Sequence, residues 1–178
     1  MRSLLGYALR TLVITCVCAA GATSGVDPFA SSPGATVFIF VRTDCPISQR
    51  YAPTIQKLAA KYAGQATFWL VFPAPEDSTD IIARYIRDYG YTLGTRSDPN
   101  HELVNRARVT VMPEAAVFDA HGALRYHGRI DDLYIAFGRS RRAPTTHDLD
   151  DALNGLLAGK PVATDGKPAV GCYIADVK

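Results

Sequence analysis

The chain has 178 residues, 48% of them apolar and 20% charged, with a formal net charge of +2. That length and balance suit one soluble globular domain with extensions at its ends. They imply no nucleic-acid or membrane-surface partner, and the sequence carries neither an internal repeat nor a low-complexity tract.

Residues 1–22 have the layout of a secretory signal peptide, or of an uncleaved anchor if Leu4 to Ala22 is retained. Arg2 and Arg10 supply positive charge, Thr11 to Ala20 is apolar, and Ala20-Gly21-Ala22 offers a small-x-small cleavage site. Residues 23–35 read as a linker, 36–158 as the folded domain and 159–178 as a C-terminal tail. Export places the domain where disulfides persist, and removal of the leader takes Cys16 and Cys18 with it. Cys45 and Cys172 remain.

In chain order, Thr36 to Val41 is continuously apolar, as in a central strand buried on both faces. A helix is predicted from about Ser48 to Tyr62, with Tyr51, Ile55, Leu58, Ala59 and Tyr62 at helical spacing and Pro53 inside it. Thr67 to Phe72 is a second buried strand. Asp77 or Ser78 caps the next helix, which bears Ile81, Ile82, Tyr85, Ile86 and Tyr89 and stops at Gly90. Asp98-Pro99 opens a short helix through Ala107, with proline at its first position. Val109 to Val111 leads into Met112-Pro113. Ala115 to Phe118 and Leu124 to Gly128 flank the hairpin turn Asp119-Ala120-His121-Gly122. The last helix starts at Thr145, whose spacing to Asp148 is that of a capping box, and ends at Gly159. The order β-α-β-α-(short α)-β-β-α predicts an α/β fold with a mixed sheet covered on both faces.

Cys45-Pro46-Ile47-Ser48 lies where a buried strand passes into a helix. The unpaired amides and positive dipole end there favour a thiolate, the reactive form of cysteine. An inert buried cysteine is the competing reading.

The segment Val41 to Pro53 (VRTDCPISQRYAP) resembles the thioredoxin active-site segment, and Val111-Met112-Pro113-Glu114 resembles its cis-proline segment. The resemblance covers about residues 36–158. With the late Gly171-Cys172, the DCPIS…YAP pattern is similar to exported bacterial redoxins of AhpC/TSA type, which implies a periplasmic or extracellular thiol redox protein. It implies a thioredoxin-like fold with Cys45 as nucleophile and Ser48, Met112, Pro113 and Glu114 at the substrate. Pro113 would be cis and packed beside Cys45, presenting backbone polar atoms to an extended substrate. Glu114 either faces the thiol as a proton acceptor or ends its strand in solvent.

Three departures qualify the resemblance. Ser48 stands where thioredoxins have their second cysteine, so a mixed disulfide is not resolved locally. Ile39 stands where thioredoxins carry a buried acid. Arg42, not a threonine, lies three residues before Cys45, against the peroxiredoxin pattern. Cys172 is then a resolving cysteine, half of a permanent staple, or a free thiol. The activity implied is that of a thiol–disulfide oxidoreductase or thiol peroxidase, acting on a thiol, disulfide or peroxide with an external reductant and needing no cofactor or metal. The alternatives are a binding protein that holds Cu(I) between the two cysteines and a histidine, or a redox-inactive scaffold. Arg129 to Asp132 and Arg139 to Arg142 are either substrate contacts or surface ion pairs. His101, His121, His127 and His147 lack metal-ligand spacing.

Overall fold

A computed structural model describes residues 34–175. The signal segment 1–22 and nearly all of the linker 23–35 lie outside the described residues. Strand β1 (Ala35–Phe40) is buried along its whole length, as its uninterrupted apolar sequence requires. It is followed by α1 (Pro46–Lys61), β2 (Ala66–Phe72), α2 (Thr79–Asp88), β3 (Gly94–Ser97) and α3 (Glu102–Ala107). Then come β4 (Val111–Met112), β5 (Glu114–Asp119), β6 (Leu124–Gly128), β7 (Tyr134–Ala136), β8 (Arg139–Ser140), α4 (Asp148–Leu157) and β9 (Cys172–Tyr173).

The main sheet has five strands in the order β3-β2-β1-β5-β6. β1 runs parallel to β2 and β2 parallel to β3, whereas β5 is antiparallel to β1 and to β6. The alternation of side chains along a strand divides the core. Val37, Ile39 and Val41 face Tyr51, Ile55 and Leu58 of α1, Ile82 and Tyr85 of α2, and Leu149 and Leu153 of α4. Phe38 and Phe40 face the other way, against Leu103, Val104 and Ala107 of α3. Phe38 meets Phe118 edge-on, with ring centroids 5.7 Å apart. Each fully buried side chain of this size contributes about 1.5–3 kcal/mol through the apolar surface it removes from water.

Four local expectations change. β3 was not foreseen, because Gly94-Thr95-Arg96-Ser97 has no apolar period; it is an edge strand held by parallel pairing to β2. Gly94 is required there by its neighbour, since a Cβ would stand 2.5 Å from the Trp69 ring. Pro99 precedes α3 rather than opening it: the cap position is His101, and the Asp98 carboxylate accepts from the Leu103 and Val104 amides. The capping box at Thr145 is absent, because the Thr145 hydroxyl and amide bond the Asp132 carboxylate, and α4 starts only at Asp148. Finally, the long connection before α4 contains the small hairpin β7–β8.

Elsewhere the tail is anchored rather than loose. His127 N–H donates to Thr164, Arg129 N–H to Lys167, and Gly166 N–H to His127, so the tail runs beside β6. It then crosses to β4, where β9 pairs antiparallel with Val111 opposite Tyr173 and Met112 opposite Cys172.

Candidate redox site

Cys45 is the N-cap residue of α1, in an extended conformation, and Pro46 occupies the first turn. A proline at that position sacrifices no intrahelical hydrogen bond, because the first amides of a helix have no partner. The segment before the helix is held by side chains that are distant in sequence. Asp77 accepts from both the amide and the hydroxyl of Thr43, and Gln49 Nε2 donates to the Thr43 carbonyl at 2.8 Å. Asp77 thus belongs to the site and not to the cap of α2, where the Ser78 hydroxyl accepts from Ile81 N–H. Burial raises the Asp77 carboxyl above the usual carboxylate range, against the hydrogen bonds from Thr43. Sequence reasoning missed this role because a contact across 34 residues leaves no local pattern. At the mouth of the segment, Arg42 pairs with Asp44 at 2.7 Å.

The Cys45 side chain is only 1% exposed. Its thiol lies 3.5 Å from the Met112 carbonyl, and the Met112–Pro113 peptide is cis, the isomer implied by the resemblance. Above it sits Cys172, half-buried, its Sγ 2.6 Å from Cys45 Sγ; both are free thiols. Cys172 is the donor in this contact. Burial comes first, and the hydrogen bond to Cys45 second, in pushing the Cys172 thiol up to about 12.

The other residues expected at the substrate are all covered. Ser48 is fully buried, and its hydroxyl accepts from Arg42 N–H at 3.4 Å, tying the first turn of α1 to the preceding segment. Glu114 is 5% exposed, which corrects the solvated reading. Its carboxylate also does not face the thiol: Oε2 accepts from the amides of Thr110 and Val111, and Oε1 lies 3.5 Å from His127 Nδ1. His127 in turn places Nε2 3.0 Å from Asp165 of the tail. The imidazole thus links the cis-proline segment to the tail, a junction that the spacing of the histidines did not reveal.

Arg129 and Arg141 are ion-paired, Arg129 with Asp148 and Arg141 with Asp132. Asp132 is held below the usual carboxylate range, first by the Thr145 hydroxyl and then by the Thr146 amide. Among the described residues no group of three or more His, Cys, Asp or Glu side chains is gathered where a metal ion would be held.

No family model and no curated protein matches the sequence. Among solved structures, the chain is similar to an uncharacterised conserved protein from Geobacillus kaustophilus, at 25% identity and a TM-score of 0.69, over 82% of this chain and 78% of that one. A hypothetical protein from Sinorhizobium meliloti 1021 matches with the same identity and TM-score, over 82% of this chain and 81% of its own. A thioredoxin-like protein solved in its oxidised form matches at 21% identity and a TM-score of 0.53, over 71% of this chain and 79% of its own. The fold is thioredoxin-like. Within this thioredoxin-like fold, the C-terminal tail brings the Cys172 sulfur to 2.6 Å from that of Cys45, and the first turn of α1 carries Ser48.

Proposed function

We propose that this chain is an exported thiol-based redox protein, a thiol–disulfide oxidoreductase or thiol peroxidase, with Cys45 as nucleophile and Cys172 as its resolving partner. The observation that carries this reading is the approach of the two sulfurs to 2.6 Å across 127 residues of chain. With β9 lifted, the Cys45 thiolate attacks one sulfur of a disulfide, or the terminal oxygen of a peroxide. The first route gives a mixed disulfide and releases a thiolate; the second gives a sulfenic acid and releases an alkoxide or hydroxide, which takes a proton. When β9 returns, the Cys172 sulfur attacks the Cys45 sulfur and closes the intramolecular disulfide. Its proton leaves with the departing thiol, or with water from the sulfenic acid. An external thiol restores the pair. Signal segment 1–22 delivers the domain to a periplasmic or extracellular compartment, where such cycles run against an oxidising background.

The test is a trapping experiment. Cys172→Ala protein treated with a small disulfide is expected to accumulate a mixed disulfide on Cys45, whereas wild type proceeds to the Cys45–Cys172 bond. Both species are read by mass under non-reducing conditions. If the variant leaves Cys45 unmodified, the nucleophile assignment is wrong. If wild type and variant stop at the same mixed disulfide, Cys172 does not resolve it.

A further inference from the structure

The two sulfurs are not equally reachable, and this decides which one an incoming reductant meets. Thiol–disulfide exchange is in line: the attacking sulfur approaches along the extension of the bond it breaks. For attack on Cys45, that line enters from the side away from Cys172. There Cys45 is 1% exposed and packed within the core cluster that includes Tyr51, Ile82 and Tyr85. Cys172, by contrast, is only half-buried. Cys172 borders an open cavity of about 560 Å³ lined by Val111, Phe137, Val170 and Tyr173, and two of those side chains stand well clear of the surface, Phe137 at 75% and Tyr173 at 82% exposure.

Leaving-group chemistry agrees with access. Breaking the bond at Cys172 expels the Cys45 sulfur as a thiolate at the N-cap position of α1, the positive end of the helix dipole. The size of the visitor is also limited. The strand edge at Val111 and Met112 is already paired by Tyr173 and Cys172, so an extended polypeptide finds no edge to join while β9 is in place.

We propose that the oxidised pair is reset by a low-molecular-weight thiol that enters at Cys172, through the cavity beside Phe137 and Tyr173, rather than at Cys45; this rests on the nucleophile–resolver reading above. A thiolate RS⁻ attacks Cys172, forming RS–S–Cys172 and releasing Cys45 as its thiolate. A second RS⁻ attacks the RS sulfur of that mixed disulfide, forming RSSR and returning Cys172, which takes a proton from water. Two electrons pass from two thiols to one disulfide. Cys172 is thus the entry point of the resetting half-cycle, while Cys45 is the entry point of the oxidising one.

The experiment uses oxidised wild-type protein and reduced glutathione, quenched at successive short times with N-ethylmaleimide and mapped by peptide mass spectrometry. At the earliest times, glutathione on Cys172 with maleimide on Cys45 is expected to exceed the converse species by at least about tenfold, since exchange rates follow access and leaving-group quality. Glutathione mainly on Cys45, or equal amounts on both, overturns the proposal. So does a Cys45–Cys172 disulfide that excess glutathione leaves intact. If no Cys45–Cys172 disulfide forms on oxidation, the failure lies upstream, in the nucleophile–resolver reading, and this inference falls with it.

Discussion

Cys172 holds its proton more tightly than a free thiol does because burial and a hydrogen bond to the Cys45 sulfur act in the same direction. The sign of the resulting pH dependence follows. A free thiol ionises near about 8.5, while Cys172 in the fold is pushed up to about 12. In the reduced protein this contribution to stability is complete below the unfolded value. It is lost as pH rises from there toward the folded value, because the unfolded chain gives up its proton first. Thiolate absorbance of the reduced protein is accordingly expected to leave the Cys172 step in strongly alkaline solution, and Cys45→Ala should move that step down toward the free-thiol value. A Cys172 that titrates identically in wild type and variant would show that the Cys45 sulfur is not its partner.

At the level of elements, the placement of Cys172 depends on a two-residue strand and on the glycine that precedes it. A Cβ at Gly171 would stand 2.1 Å from the Met112 carbonyl oxygen, a backbone atom of the cis-proline segment. Gly171→Ala is therefore expected to lift β9 from β4 and to slow intramolecular disulfide formation at least about tenfold, by the loss of sulfur alignment. Far-UV circular dichroism should be unchanged, since the main sheet does not include β9. Unaltered oxidation kinetics would mean that the tail tolerates a side chain there and is looser than its pairing indicates.

The elements that could be read from the sequence were those whose pattern is local. β1 and β2 are uninterrupted apolar runs, α1 and α2 repeat at helical spacing, and the turn after β5 is spelled by Asp119 to Gly122 with Gly122 at a φ of 73°. The features that escaped depend on partners far along the chain. β3 is polar and exists through β2; Thr145 satisfies Asp132 rather than the start of α4; and Asp77 reaches back to Thr43. The site divides in the same way. Cys45 and the cis bond before Pro113 were legible as motifs. The meeting of Cys45 with Cys172 was one of the alternatives that the cysteine count left open, beside a free thiol, and the tail settles it by bringing the two sulfurs together. The burial of Glu114 between Thr110, Val111 and His127 was not legible, because no local spacing encodes those partners.

Across the whole molecule, the tail serves the sheet as well as the site. It covers the outer side of β6 through the bonds at His127 and Arg129 and the contact of His127 with Asp165, and so shields an edge that would otherwise offer unpaired amides. Its end packs Ile174 into the α3 side of the core. A bond between Cys45 and Cys172 would join points 127 residues apart. On chain-entropy grounds a loop of that length stabilises the fold by about 5 kcal/mol through restriction of the unfolded state. The oxidised protein should melt well above the reduced one, and calorimetry of the two forms at the same pH measures the difference. Equal midpoints would place the tail outside the cooperative unit.

The same separation has a topological consequence. Once the two sulfurs are joined, the chain from Cys45 to Cys172, most of the folded domain, becomes a covalent ring. A protease that cuts one exposed loop, such as the β7–β8 hairpin with Phe137 at its tip, would linearise the ring without releasing a fragment. Denatured without reductant, the nicked chain would still run as one piece; with reductant it would fall into two. The redox state of this pair would then decide whether a single cut divides the denatured chain.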